Sequence, residues 1–419
     1  MRKLVSISVG IIALAVIVFL LAPFVTGALI QKKYPDLLAQ FSRVSGANIQ
    51  IQRYHRGWFK STAQLEMTIP SAPPILIHQK IVHGPFAFVS TNSGQKTLYF
   101  ALAVIKEAAQ SQGTALNTIS VWRFNNDLKM MAKTDQFNIQ TAMGNFALSN
   151  LNSAIYFTPE TQHFSGDFSL AHFVSVSQAA AMPSIDLKDL QIHSNNSGKV
   201  TLSLGDLTAI SINKKSTEIQ NAAFLFQQTE TKNTTDMTTT FDAKVFNTPE
   251  DSLSNLHFSL SINHLSTAAV QQYWQQMQAA QMTSQANFGL SFVQLYGLMQ
   301  VVDKGLSIEL NALNAQTKDG AIQLQGGITI PAQSTQTSSI AATLAHITGH
   351  ATISLPYQFV LNQWALHYAQ DQKLSPTDAL AERIKSGEFI QQGNQLTMQI
   401  DLKNATILVN GKPLSAYTH

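Results

Sequence analysis

Apolar and polar residues alternate over most of the chain that follows residue 48. In the segment TAQLEMTI every second residue is apolar, and the same period of two recurs in LHFSLSIN, KVTLSL and AISIN. The apolar positions of these segments are Ala63, Leu65, Met67, Ile69, Leu256, Phe258, Leu260, Ile262, Val200, Leu202, Leu204, Ile210 and Ile212. Strands with one apolar and one polar face are typical of antiparallel sheet, because buried parallel strands are apolar on both faces. The pattern predicts an α+β protein that is mostly β, with a long curved antiparallel sheet.

A helical period of apolar residues replaces this alternation in two later regions. The first carries two apolar stripes and predicts a helical hairpin at about residues 264–303, with its turn at 283–287. The second predicts a C-terminal helical stretch at about residues 357–387, in which Pro376 begins the latter half. Both are expected to cover the apolar face of the sheet, and a groove for a partner helix is the alternative.

The N-terminus carries the longest uncharged run of the chain. No charged residue occurs between Leu4 and Ile30, which exceeds the ~20 residues that span a bilayer and the ~7–15 of a secretory signal. We predict a signal anchor, a transmembrane helix, at residues 1–31. Cleavage after Gly27 and a buried globular helix are the alternatives. The remainder, residues 32–419, is predicted to be one translocated β-rich domain, since long domains cross membranes largely regardless of charge.

Composition removes several classes of function. Charged residues make up 12% of the 419 residues, about half of the roughly 25% that is usual. The formal net charge is only +3, so nothing in it predicts a nucleic-acid partner. Cysteine is absent, which excludes disulfides, thiolate metal sites, a cysteine nucleophile and a lipidated cysteine.

No sequence motif with an established catalytic mechanism occurs. The chain has no G-x-S-x-G, H-E-x-x-H, P-loop or G-x-G-x-x-G pattern. We therefore predict no catalytic residues, no metal site and no cofactor.

Two short clusters near the N-terminus concentrate unusual residues. They are YHRGWFKS, which starts at Tyr54, and IVHGPF, which ends at Phe86. In a functional interpretation Arg56 and His83 lie together and contact an anion or a lipid headgroup. In a structural interpretation the glycines form bends, the aromatic residues Trp58, Phe59 and Phe86 anchor the core, Arg56 binds exposed carbonyls and His83 satisfies a buried backbone group. We favour the structural interpretation.

The two clusters carry a resemblance to a known family. The motif positions are Tyr54, Arg56, Gly57, Phe59, Ser61, His83, Gly84, Pro85 and Phe86. With the preceding apolar segment they resemble the YdgA-like bacterial family, a domain of unknown function, and the likeness extends over nearly the whole chain. The resemblance implies a single-pass protein of the bacterial inner membrane with a periplasmic, mostly β body. It supplies no catalytic residues.

Three functions follow as expectations. The first is a non-catalytic, membrane-anchored envelope protein that binds lipid or another apolar ligand, because a long apolar sheet face needs a covering. By fold-level analogy only, the strand pattern is similar to that of AsmA-like envelope proteins, which are thought to handle lipids. The second is a scaffold for an envelope protein partner. The third, a hydrolase, requires a titratable group such as His83 to meet a nucleophile in a cleft.

Overall fold

The structure is a computed structural model that describes residues 2–417 apart from several gaps. The longer gaps are residues 271–304, 333–345 and 364–374. The shorter ones are residues 46–47, 69–73, 91–95, 112–113, 142–143, 159–162, 178–182, 196, 212, 250 and 269. Residues 2–20 are described by their backbone alone. The chain divides into two compact units, Met1–Asn196 and Ser197–His419.

The first unit contains a long helix, α1 (Arg2–Ser45), and an antiparallel sheet. Its strands are β1 (Asn48–Arg56), β2 (Lys60–Thr68), β3 (Ile75–His83), β4 (Phe86–Ser90), β5 (Lys96–Phe100), β6 (Ala103–Ser111), β7 (Thr114–Trp122), β8 (Leu128–Thr141), β9 (Gly144–Thr158), β10 (His163–Ser177) and β11 (Ser184–Ser194). Strands β1, β2, β3 and β6 to β11 pair with one another in that order. The separate hairpin β4–β5 is inserted between β3 and β6.

Helix α1 packs along one face of this sheet. Its buried positions follow a spacing of four and three residues, which marks one face of a helix. They are Pro23, Gly27, Ile30, Tyr34 and Leu37. Ile30, Tyr34 and Leu37 share a core with sheet residues that include Leu65 and Trp122. The predicted boundary at residue 31 therefore falls inside a helix that continues to Ser45.

The predicted transmembrane segment lies within α1, but the side chains of its residues 2–20 are outside the described part of the structure. Among the residues that the structure describes, no helix is both apolar enough and long enough to cross a membrane.

The hairpin β4–β5 covers the face of the first unit's sheet that is opposite α1. Its residues Ala87 and Val89 are buried against Val104 and Val121. Val104 is adjacent to Ile105, which faces α1, and neighbouring residues of a strand point to opposite faces. The sheet is thus sandwiched between α1 and the hairpin.

The second unit is a longer antiparallel meander. Its strands are β12 (Lys199–Ile210), β13 (Ser216–Glu230), β14 (Thr234–Asn247), β15 (Ser252–Ser266), β16 (Leu306–Thr317), β17 (Gly320–Ile330), β18 (Thr348–Pro356), β19 (Ile390–Gln392), β20 (Gln395–Lys403), β21 (Thr406–Val409) and β22 (Lys412–Pro413). Strands β12 to β18 pair in sequence order, and β20 then joins β18 to β19 and β21. The prediction of a mostly β protein with long antiparallel pairing is confirmed.

One row of apolar residues crosses the second sheet from strand to strand. Its successive Cα partners are Leu202, Phe224, Phe241, Phe258, Leu313, Leu324, Ile353 and Met398. All eight residues are half-buried. The predicted apolar face of KVTLSL and LHFSLSIN, which contain Leu202 and Phe258, is therefore present as a continuous surface.

The two helical predictions for this unit fall only partly on residues that the structure describes. Residues 264–266 still belong to β15, so the predicted hairpin would begin later, and residues 271–304 of it lie outside the described residues. Residues 357–363 are helical, and a second helix, α2 (Pro376–Ser386), has its proline in the first turn as predicted. Residues 364–374 of the predicted stretch are not described.

The start of α2 yields a stability prediction. The Ser375 hydroxyl accepts a hydrogen bond from the Asp378 backbone N–H. Replacing Ser375 with alanine should lower the free energy of unfolding by about 1 kcal/mol, because an N–H of the first turn loses its partner. Urea unfolding checks this, with Ser375→Thr as the control that keeps the acceptor. Equal loss in both variants would contradict the capping role.

Candidate functional site: the helix-docking end of the first unit

Antiparallel pairing brings the two sequence clusters to the same end of the first sheet. Lys60 is the Cα partner of Val82, and His83 is the partner of Ala103. Ala103 in turn pairs with Trp122 at the end of β7. The β1–β2 turn, the end of β3 and the β7–β8 turn therefore lie side by side. We call this edge the docking end, because the N-terminal part of α1 packs there.

His83 is the buried polar centre of the docking end, with only 2% of its surface exposed. Its Nδ1 lies 3.0 Å from the Trp58 carbonyl oxygen, and its Nε2 lies 2.8 Å from Ser61 Oγ. A carbonyl oxygen can only accept a hydrogen bond, so Nδ1 carries the proton and donates it. In the neutral imidazole Nε2 then accepts a hydrogen bond from the Ser61 hydroxyl.

The surroundings of His83 favour this neutral form. Burial lowers the pKa of His83 below its usual value, and the positive charge of Arg56 lowers it further. Hydrogen bonding to the backbone of Trp58 and Pro23 acts in the opposite direction. Because burial is the largest of these effects, the imidazole stays uncharged at neutral pH.

Helix α1 lies directly on the His83 imidazole through a glycine. A Cβ atom added to Gly27 would stand 2.5 Å from Nδ1 and Cε1 of the ring, which is closer than side-chain atoms approach one another. The neighbouring Thr26 Oγ1 donates a hydrogen bond of 2.8 Å to the Gly84 carbonyl. Two neighbouring residues of the second cluster therefore contact two neighbouring residues of the helix.

Arg56 contacts the helix as well. Its guanidinium carbon lies 4.4 Å from the centre of the Phe24 ring, which is a cation–π geometry. Its nitrogens lie 3.5 Å from the Phe24 carbonyl oxygen and from Gln31 Oε1, distances at which a hydrogen bond is weak. The sequence interpretation in which Arg56 binds carbonyls agrees with this placement.

The aromatic residues of the clusters are not core anchors, and that part of the structural interpretation is wrong. Trp58, Phe59 and Phe86 expose 49%, 46% and 46% of their surfaces. Trp58 and Phe59 lie in the turn between β1 and β2, and Phe86 is the first residue of β4. Two aromatic residues of the first cluster nevertheless contact α1: the ring centre of Tyr54 lies 5.9 Å from that of Tyr34, and that of Trp58 lies 5.0 Å from that of Phe24.

The remaining motif residues shape the backbone. The Gly57 N–H donates to the Lys60 carbonyl at 2.9 Å and closes the β1–β2 turn. The Gly84 N–H donates to the Leu102 carbonyl at 2.8 Å, and Gly84-Pro85 is a cis peptide bond. A Cβ at Gly84 would collide with the Ala101 carbonyl oxygen, so only glycine fits there.

A second polar group under α1 was missed by the sequence interpretation. Tyr34 donates to Gln79, Gln79 donates to Glu107 Oε1, and Thr118 Oγ1 donates to Glu107 Oε2 at 2.7 Å. Burial raises the pKa of Tyr34 and of Glu107. Gln79 lies between Ile77 and Ile81 on the apolar face of β3, and this polar interruption of the alternation was the available signal.

The Ser61–His83 pair has the composition of a nucleophile and a base but not their access. A cavity of about 270 Å³ adjoins His83, with walls made by Pro23, Phe59, Val82, Pro85, Phe86 and Phe88. Ser61 is 1% exposed and is not part of these walls. No group of three or more metal-binding side chains occurs in the described part of the chain. The chemistry of the docking end therefore suits holding a helix.

Comparison with known proteins identifies one family. The model described as "Bacterial protein of unknown function (DUF945)" matches residues 1–416. No curated protein and no solved structure matches the chain.

The contact between Gly27 and His83 can be tested by adding a side chain at position 27. We expect Gly27→Val to lower the free energy of unfolding by about 1–3 kcal/mol, because an overpacked site must shift the helix or the ring. Ala39→Val is the control for a valine in the same helix, since Ala39 is exposed. Helix propensity disfavours valine relative to alanine but favours it over glycine, so a larger loss at position 27 must come from the contact. Urea unfolding followed by circular dichroism measures both, and equal losses would show that the contact is unimportant.

The neutral state of His83 predicts a dependence on pH. The unfolded imidazole takes up a proton below about pH 6.5, whereas the folded one, with its lowered pKa, does so only at lower pH. The contribution of His83 to stability is therefore present above pH 6.5 and declines as the pH falls. The difference in unfolding free energy between wild type and His83→Gln should shrink between pH 7.5 and 5. A constant difference over this range would contradict a buried neutral imidazole.

Proposed function

The chain belongs to the DUF945 family of bacterial proteins of unknown function, and from its own geometry we propose that it is a membrane-anchored, non-catalytic envelope protein that binds lipid acyl chains. The observation that carries this proposal is the apolar row across the second sheet. The YdgA-like name remains a prediction, since no named relative matches.

The apolar row has the chemistry of a surface for hydrocarbon. Phe224, Phe241 and Phe258 pair directly across three strands, and Leu202 and Leu313 extend the row on either side. Burial of apolar surface contributes about 25 cal/mol per Å². Because the phenylalanines of the row are only half-buried, covering them with an acyl chain would be favourable. The row runs perpendicular to the strands, and an extended acyl chain could lie along it.

The opposite face of the same strands is polar. Thr240 pairs with Ser259, and Asn311 Nδ2 donates to Ser261 Oγ at 2.8 Å. A larger cavity of about 910 Å³ lies at the strand ends, but Asp251, Lys318 and Asp319 contribute to its walls. The apolar row is therefore the better site for hydrocarbon.

The N-terminal sequence supports the membrane anchor. Residues Leu4–Ala22 contain no charge, and at 1.5 Å per residue such a run approaches the ~30 Å of a bilayer core. The residues that follow it in α1 are bound to the docking end. We propose a single-pass protein of the bacterial inner membrane with the body in the periplasm, as the family resemblance implies.

Two other functions are retained as alternatives. A scaffold for an envelope protein would cover the apolar row with a partner chain. A hydrolase is favoured by one observation, the hydrogen bond between Ser61 and His83, but the burial of Ser61 argues against it.

Photo-crosslinking distinguishes these functions without disturbing the fold. A photoreactive phenylalanine analogue is placed at Phe258, on the apolar row, or at the adjacent Ser259, on the polar face. After irradiation of living bacteria, the purified protein is analysed by mass spectrometry. We expect a lipid adduct at position 258 and none at position 259.

The other outcomes each contradict the proposal. A protein adduct at position 258 would establish the scaffold function instead. The absence of any adduct in a folded protein would show that no ligand binds the apolar row. Equal lipid labelling at both positions would show non-specific contact with the membrane. Release of a lipid fragment by wild type but not by Ser61→Ala would establish the hydrolase.

A further inference from the structure

Exposed aromatic residues are concentrated at the docking end of the first unit. Five of them form what we call the aromatic rim, and they expose between 46% and 69% of their surfaces. They are Trp58, Phe59, Phe86, Phe100 and Phe124. On the surfaces of soluble proteins, exposed apolar residues usually occur singly. A contiguous apolar patch marks a contact with a partner or a membrane.

The rim residues lie together because the paired ends of the hairpin β4–β5, Phe86 and Phe100, lie beside the turns at the docking end. The ring centres of Phe86 and Phe100 are 5.5 Å apart, and those of Phe100 and Phe124 are 5.2 Å apart. Trp58 packs at 5.0 Å on Phe24 of α1. The rim thus extends from the helix, past the β1–β2 turn, to the β7–β8 turn.

The hairpin β4–β5 enlarges this surface because it is apolar on both sides. Ala87 and Val89 pack on the sheet, while Phe88 and Leu98 form an outward cross-strand pair. Phe88 and Leu98 are both more than half exposed. A hairpin that only covered the sheet would carry polar residues on its outer side.

The rim adjoins the place where the uncharged N-terminal run reaches the body. Pro23 of α1 shares the walls of one cavity with Phe86 and Phe88. On the helix itself Leu21, Phe24 and Val25 are exposed. The last residues of the apolar run and the rim therefore form one continuous apolar surface.

Basic residues border this surface. Lys60 follows Phe59 and Arg123 precedes Phe124 at the docking end, whereas Lys96 lies at the other end of the hairpin, where it pairs with Ser90. All three are exposed. The nearby carboxylate of Asp127 accepts a hydrogen bond of 2.6 Å from Asn125. Aromatic side chains with adjacent cations suit the interface of a bilayer, where rings reach the acyl boundary and cations meet phosphate groups.

We propose that the aromatic rim inserts into the interface of the bilayer that holds the N-terminal segment, and so fixes the first unit with its strand ends against the lipid. This inference rests on the proposed membrane anchor. The anchor supplies the high local concentration of lipid that lets a shallow aromatic surface bind. The occupant of the rim is the lipid leaflet itself.

The absence of cysteine from the sequence allows one fluorophore to be placed without background. The environment-sensitive dye NBD is attached at Phe100→Cys, in the rim, or at Gln50→Cys as the control. Gln50 is exposed and pairs with Glu66, far along β1 from the docking end. The labelled full-length proteins are reconstituted, at low protein density, into vesicles of phosphatidylethanolamine and phosphatidylglycerol with or without doxyl-labelled phosphatidylcholine.

We expect blue-shifted emission and strong quenching by doxyl lipid at position 100, and neither at position 50. Adding Trp58→Ser and Phe124→Ser should restore a water-like emission at position 100 while thermal unfolding stays cooperative. Flotation of the protein with the vesicles measures membrane anchoring independently of the dye signal. A protein that fails to float contradicts the proposed anchor, whereas one that floats without quenching at position 100 contradicts only the rim.

Two further outcomes would overturn the inference in favour of another occupant. Emission at position 100 that is blue-shifted but unquenched, and that reverts on dilution in the bilayer, would show that a second copy of the chain covers the rim. Equal quenching at positions 50 and 100 would show that the first unit lies on the membrane without a preferred end.

Discussion

The packing of Gly27 on the His83 imidazole is the contact on which the first unit depends. A helix can lie this close to a sheet only where a residue lacks a Cβ, and the ring beneath it must be uncharged because little water remains to solvate it. Trp58 and Ser61 satisfy both ring nitrogens. The helix, the β1–β2 turn and the end of β3 are therefore ordered together.

Burial of polar groups beneath α1 follows the same rule further along the helix. Tyr34, Gln79 and Glu107 form one hydrogen-bonded chain, so each polar atom that loses water gains a protein partner. Burial raises the pKa of Glu107, whereas the hydrogen bonds that its carboxylate accepts from Thr118 and Gln79 lower it. Such a network fixes where along the sheet the helix sits, because apolar side chains alone would permit sliding.

Most of the strand structure could be predicted from the sequence, but the role of the N-terminal helix could not. Alternation identifies the face of a strand, and the row through Phe258 confirms that prediction. An uncharged run, by contrast, suits either lipid or a protein interior. The prediction therefore ended the segment near Ile30, although the buried spacing of Gly27, Ile30 and Tyr34 crosses that point. Only the position of Gln79 and His83 on an apolar strand face indicated that something polar lay above them.

The YHRGWFKS cluster shows why density of unusual residues does not by itself indicate catalysis. Its residues have different contacts on the two sides of the Gly57 turn. Tyr54, Arg56 and Trp58 contact the helix, and Ser61 contacts the buried imidazole. Trp58 and Phe59 also have exposed surface. Residue types that favour a helix contact and residue types that favour a bilayer interface are therefore interleaved over one tight turn. A single turn that must meet a helix on one side and an outer surface on the other requires this mixture, and no chemical step is needed to explain it.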